Sequence, residues 1–301
     1  MTKKRLTAYL TLTFVSLLWG IASPVIKYTL AYLSPYSFLF WRFLLTSLIF
    51  LPFFIYFTQK QPIKLKDLPL LILLGFLGTP LELILLFIGY EKTTSMDGVL
   101  ISATAPIFIT IGGALFLKEK VTKIERVGLV IAVLGSLITI SQPIFEGNLF
   151  KGNLSGNFLV FLSVIVWVAY VLGYKKRSFK YHPVISTAIG FFVGLITIIP
   201  IAIIKENSLI FNFEFLILNS NALLGVLYMV IFSSVIAYTL YEYGLTLIEA
   251  SEATVFAYLQ PIFAAPVAYF WLGEKITLPF MVGALIITAG VLISEYKPKV
   301  L

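Results

Sequence analysis

Apolar residues run in stretches of eighteen or more from one end of the chain to the other, and charged residues gather in short segments between them. Each stretch, as a helix, is long enough to cross a hydrocarbon core of roughly 30 Å. The pattern predicts ten spans, near residues 8–28, 36–57, 68–90, 97–117, 125–142, 157–175, 184–204, 222–244, 251–272 and 278–296. Backbone facing lipid must satisfy its hydrogen bonds internally, so runs of this length mean helices. The longest connections, around 143–156 and 205–221, are too short for a soluble domain. Function therefore lies within the bilayer or at its faces.

Composition agrees with this reading. The 301 residues are 59% hydrophobic and 12% charged, against a soluble norm near half and a quarter. Lys3, Lys4 and Arg5 before an apolar run open as a signal peptide would. That run is too long, contains Pro24 and lacks a small-residue cleavage site, so it is read as a retained first helix. The net charge of +8 sits in loops between spans, where Lys and Arg set topology, and this argues against nucleic acid as a partner. With the N-terminus inside, the inside segments carry sixteen basic residues and the outside loops four. An even number of spans then places both termini in the cytoplasm, and the location is the plasma or inner membrane.

Compared with itself, the sequence repeats. At an offset of 155, Gly89 meets Gly244, Pro106-Ile107-Phe108 meets Pro261-Ile262-Phe263, and Leu117, Glu119, Lys120 and Thr122 meet Leu272, Glu274, Lys275 and Thr277. At an offset of 148, Trp19 meets Trp167, Lys27 meets Lys175, Pro35 meets Pro183 and Pro52 meets Pro200. Each half, 1–145 and 153–297, holds five predicted helices, and an odd number inverts the second copy in the membrane. The expected fold is thus an all-α membrane protein of two inverted five-helix repeats around a central cavity. Secondary transporters are built this way, with the solute near the midplane.

The motifs LLWGIASPVIK at 17–27, FLFWRFLL at 38–45, APIFITIGGALFLKEKVT at 105–122 with its echo QPIFAAPVAYFWLGEKIT at 260–277, and the glycine-spaced GLVIAVLGSLI at 128–138 and GALIITAGVLI at 283–293 together resemble the EamA-like branch of the drug/metabolite transporter superfamily. The resemblance covers nearly the whole chain, in order and in both halves. It implies a ten-helix, two-repeat carrier that works without ATP or another cofactor, moving amino acids, other metabolites, nucleotide-linked sugars or drugs. Glu82 and Glu242 stand where small or uncharged residues are commoner in that family.

Ionisable groups within spans are functional candidates by default. Lys27, Arg42 and Glu82 fall where they could meet in the outer half of a cavity, Arg42 or Lys27 anchoring a solute carboxylate and Glu82 acting as counter-ion or proton carrier. A blander reading has Lys27 snorkelling to the interface and Arg42 serving as a structural partner of Glu82. Trp19 and Thr79 are further candidates for the cavity wall. So are Trp167, Tyr170 and Tyr174 on one helix face, Ser234, Tyr238 and Tyr241 on a second, and Thr254 and Tyr258 on a third, each at helical spacing. Aromatic residues also form interfacial belts. Pro106 and Pro261 are expected mid-helix, as kinks or gating hinges. Gly190 and Gly194 form a GxxxG that suits helix packing or a weak homodimer. The Glu119-Lys120 and Glu274-Lys275 pairs read as solvated caps.

A secondary transporter, most simply an exporter of a small amphipathic metabolite such as an amino acid, is the leading function. Cationic drugs and nucleotide or sugar metabolites are alternative solutes. An intramembrane enzyme would need a metal-binding or nucleophilic constellation. The chain has one histidine, His182, placed in a loop, no cysteine, and no HExxH or GxSxG. A receptor without transport is the remaining class.

Overall fold

The computed structural model describes residues 3–119, 122–140, 154–177, 181–206, 219–274 and 278–295. The predicted repeat ends at 145, 153 and 297 lie outside these, as do Lys120, Lys151, Lys180, Lys275, Thr277, Lys297 and Lys299. Among the described residues every regular element is helical. In chain order they are α1 (Lys3–Thr29), α2 (Pro35–Lys60), α3 (Leu65–Lys92), α4 (Ser95–Leu117), α5 (Lys123–Ile140), α6 (Leu154–Arg177), α7 (Pro183–Glu206), α8 (Ser220–Leu247), α9 (Ala250–Leu272) and α10 (Leu278–Glu295). Eight of these are long and apolar enough to cross a membrane; α5 and α10 are not among the eight. The first turn of α5 carries Lys123, Glu125 and Arg126, which shortens its apolar part. Outward positions such as Leu10, Leu48, Ile196, Leu224 and Phe270 are exposed and apolar, a surface suited to lipid rather than water.

Four helices are interrupted. α3 widens into a π-helical turn at Leu77–Leu81 around Pro80, and α8 does so at Met229–Tyr238. α4 breaks at Ala103 and Thr104 before restarting at Ala105, and α9 tightens to 3-10 geometry at Val255–Leu259 before Gln260. Pro106 and Pro261 therefore do not kink continuous helices, as the sequence suggested. Each sits in the first turn of a restarted helix, where a missing N–H costs nothing because it has no intrahelical acceptor.

The ends of α4 and α9 match residue for residue. Lys118 (φ 57°) and Gly273 (φ 68°) both turn left-handed, a common way to end a helix. The next amide donates back in each case, Glu119 N–H to the Gly113 carbonyl and Glu274 N–H to the Ala268 carbonyl, both at 3.1 Å. These turns carry the glutamates onto a neighbouring helix N-terminus. Glu274 accepts from the Ser95 amide (3.2 Å), the Ser95 hydroxyl (2.7 Å) and the Met96 amide (3.2 Å). Glu119 accepts from the Ala250 amide (2.8 Å), the Ser251 amide (3.1 Å) and the Ser251 hydroxyl (2.8 Å). Each of α4 and α9 thus caps the start of the other, so the two run antiparallel. The glutamates are helix caps between the halves rather than solvated ones.

Lys27 and Lys175 behave alike. Lys27 Nζ donates to the carbonyls of Tyr90 (3.0 Å) and Glu91 (3.4 Å) at the end of α3. Lys175 Nζ donates to those of Leu245 and Ile248, both at 2.6 Å, at the end of α8. A cation on unpaired C-terminal carbonyls is favourable. At the other end of α1, Arg5 makes a bidentate contact with Glu252, its closest approach 2.6 Å, and Tyr9 donates to the same carboxylate.

Glycines set the close approaches. A Cβ on Gly190 would lie 2.5 Å from the Thr79 hydroxyl, and one on Gly194 3.1 Å from the Phe43 ring. The GxxxG face of α7 is therefore filled by α3 and α2 of the same chain and is not free for a dimer. α5 and α10 meet where a Cβ on Gly135 would strike the Gly283 carbonyl at 2.8 Å.

Candidate functional site

A cavity opens between α1, α2, α3, α4, α6, α8 and α9. Its open space, mouth and adjoining solvent included, is about 920 Å³. Two aromatic residues related by the sequence repeat, Trp19 on α1 and Trp167 on α6, meet edge to face at 5.6 Å. Tyr238 and Tyr241 pack against both indoles, with ring centres 5.1–5.8 Å apart. All four rings line the cavity. They present broad apolar faces with hydroxyl tips, and the Trp19 indole N–H is already used, donating to the Ser233 carbonyl at 3.2 Å.

Opposite charges enter the same space. Arg42 projects from α2 and is 1% exposed. Its Nε donates to the Ser234 hydroxyl at 2.8 Å and one terminal nitrogen reaches the Ser233 hydroxyl at 3.4 Å. The π-helical turn of α8 makes this possible, because it brings two consecutive serines to one guanidinium. Ser234 in turn donates to the Met229 carbonyl at 2.7 Å. The guanidinium carbon sits 5.5 Å from the Phe87 ring centre. Arg42 Nη1 has no hydrogen-bond partner. Glu82 follows the π-turn of α3 and feels the charge of Arg42. One of its oxygens, Oε2, is likewise without a partner. Tyr238 lies beside that carboxylate and donates to the Gly78 carbonyl at 3.3 Å.

The structure brings Trp19, Arg42, Glu82, Trp167 and Tyr238 together on the cavity wall, and Thr254 and Tyr241 with them. It sets the other sequence candidates elsewhere. Lys27 is engaged at the end of α3. Thr79 is buried in the π-turn against Gly190, because the wider turn ends the helical register it would share with Glu82. Ser234 stands behind Arg42 as its acceptor. Tyr170 donates to Glu242, and Tyr174 is buried beside it. Tyr258 falls in the 3-10 turn of α9 and is buried near Ala103, Val255 and Ile287. His182 stacks on Phe57 at 3.8 Å away from the cavity.

Sequence reasoning overlooked several wall residues. Tyr90 donates to the Ser23 hydroxyl at 2.8 Å, and Ser102, Ser163, Ser233 and Gln260 add polar atoms. Ser23 was the accessible signal, one helical turn beyond Trp19. Ser102, Ser233 and Gln260 are ordinary in a helix and reveal themselves only through the breaks in α4, α8 and α9, and Ser163, on the unbroken α6, only through the cavity it faces.

Among the described residues, no cluster of His, Cys, Asp and Glu could hold a metal. The site offers a buried cation, a buried carboxylate and an aromatic wall. That arrangement can bind and orient a small solute.

Comparison with known proteins agrees. An uncharacterized transporter of Archaeoglobus fulgidus is 30% identical over 295 residues, spanning 98% of this chain and 99% of that protein. The uncharacterized transporter YyaM of Bacillus subtilis is 28% identical, spanning 96% and 93%. A WAT1-related chloroplastic protein of Arabidopsis thaliana is 22% identical over 92% of this chain. One solved protein crystal structure shares the fold with a TM-score of 0.71 at 13% identity, covering 96% of each chain. The sequence model of the EamA-like transporter family matches twice, at residues 6–141 and 154–296. This chain is a multi-pass membrane protein and belongs to the EamA-like transporter family.

Proposed function

We propose that this transporter carries a small zwitterionic metabolite, an amino acid with an apolar or aromatic side chain, outward across the cell membrane by alternating access. One observation carries the reading. Arg42 and Glu82 line one cavity, and each has one polar atom unpartnered. A buried charged group without a full set of partners is costly, and a zwitterion supplies both missing partners at once. Its carboxylate meets Arg42 Nη1, its ammonium meets Glu82 Oε2, and its side chain lies against Trp19, Trp167, Tyr238 and Tyr241.

The moving parts in this reading are two inverted repeats, 1–145 and 153–297, with α5 and α10 bringing the eight spans to ten and both termini cytoplasmic. The matched pairs support it. Lys27 and Lys175 hold equivalent helix ends, and Glu119 and Glu274 hold equivalent helix starts. The basic loops support the orientation. Alternating access then rocks one repeat against the other about a central site.

The test is counterflow in proteoliposomes with a panel of labelled amino acids, cationic drugs and nucleotide-linked sugars. An amino acid should exchange, and Arg42→Ala should reduce that exchange at least tenfold. Arg42→Lys should not restore it, because an ammonium lacks the planar fork that bonds both serines and still presents a free donor. Exchange of a drug or sugar, insensitive to Arg42, would replace the amino acid as solute.

A further inference from the structure

Behind the aromatic wall lies a second buried carboxylate that the solute site does not use. Glu242 on α8 is 1% exposed and does not line the cavity. The Tyr170 hydroxyl of α6 donates to its Oε1, while its Oε2 has no hydrogen-bond partner. The hydroxyls of Tyr174 on α6 and Thr187 on α7 also face it, and neither closes a hydrogen bond. Ser186, next to Thr187, is buried with its hydroxyl equally unpartnered. Tyr238, one turn earlier on α8, feels the same charge.

No basic group faces Glu242 among the described residues. Lys175, at the cytoplasmic end of the reading above, is committed to the carbonyls of Leu245 and Ile248. Arg5 is committed to Glu252. Arg42 lies on the cavity side with Glu82. From α1 the neighbour is apolar, Leu12 packing against Gly244. The two carboxylates therefore differ in kind: Glu82 has a guanidinium to balance it, and Glu242 has only hydroxyls. An isolated carboxylate in an apolar interior is neutralised by taking up a cation, most simply a proton.

We propose that Glu242, held by Tyr170, is a proton-binding site separate from the solute cavity, and that its loading and release drive transport. The proton adds to Oε2, forming a carboxylic O–H with water at one face as the source. It returns to water at the opposite face when the repeats rock. Tyr170 ties this site to the cavity. Its ring fits against Gly78, where any Cβ would lie 2.5 Å from the ring, and the Gly78 carbonyl accepts from Tyr238 beside Glu82. A change in the charge of Glu242 thus reaches the solute site through two tyrosines and one turn of α3. The driving role rests on the transporter reading; the proton site itself does not.

Two measurements on the full chain in liposomes separate these. Infrared difference spectra between acidic and alkaline buffer should show a carboxylic-acid C=O band that Glu242→Gln abolishes and Glu82→Gln leaves. Survival of the whole band in Glu242→Gln, or no such band in the wild type, overturns the proton site, whatever the solute. In transport, Glu242→Gln should lose accumulation driven by a pH gradient at least tenfold, with counterflow falling far less. Wild-type accumulation in that variant, or accumulation that follows a sodium gradient and ignores pH, overturns the driving role. Should Glu242→Gln fail to fold, Tyr170→Phe must shift the frequency of the band, and an unmoved band overturns the assignment. If the wild type exchanges no solute in the panel, the solute reading fails while the infrared result still decides the proton site.

Discussion

Lys118 and Gly273 occupy the same left-handed turn, one with a side chain and one without. An L-residue in this conformation costs roughly 1–2 kcal/mol, and a Cβ on Gly273 would meet nothing within 4 Å. Gly273→Ala therefore isolates backbone strain and should destabilise the protein by about 1 kcal/mol. Lys118→Gly should stabilise it by less, because the change also removes a cation from a helix C-terminus. Thermal unfolding in one detergent reads both, and equal shifts of the same sign would refute the argument. The same scale explains which site residues the sequence revealed. Arg42 and Glu82 stood out because charges within apolar runs are few. Ser233 did not, since a serine in a helix carries no signal until a guanidinium is seen against it.

Helices were legible as elements, and their interruptions were not. Ten apolar runs gave the positions of α1 to α10 to within a few residues, because burial in lipid leaves hydropathy as a plain record. The π-turns at Leu77–Leu81 and Met229–Tyr238 leave no such record, and each changes which side chains share a face. Thr79 and Ser234 leave the cavity wall for this reason, and the 3-10 turn of α9 removes Tyr258 likewise. The capping glutamates show the same gap between pattern and partner. Their repetition at 119 and 274 was plain, yet their acceptor role depends on an antiparallel neighbour. Each carboxylate takes three hydrogen bonds, and bonds to charged groups contribute about 1.5–3 kcal/mol each. Glu274→Ala and Glu119→Ala should each lower the unfolding temperature, with Gln recovering part of the loss. A Gln variant no better than Ala would show that charge at the helix start, rather than hydrogen bonding, is what matters.

At the scale of the whole molecule, the pairing of equivalent contacts makes a geometric demand. If the halves are inverted, two residues separated by 155 positions must face opposite sides of the membrane. Thr94 and Glu249 are such a pair, and both are exposed just before α4 and α9. Desolvation and the nearby Glu119, Glu125 and Glu252 raise the pKa of Glu249, which fits a crowded acidic rim at one face. The chain contains no cysteine, so a single Thr94→Cys or Glu249→Cys reports its side without background. In intact cells an impermeant maleimide should label the cysteine at 94 and spare the one at 249, which should react only after permeabilisation. Neither substitution touches the solute cavity, so each variant can be checked for retained exchange. Labelling of both from one side would contradict the antiparallel pairing of α4 and α9 that the matched caps require. It would also remove the inversion, and with it the reason for two halves to rock about a shared site.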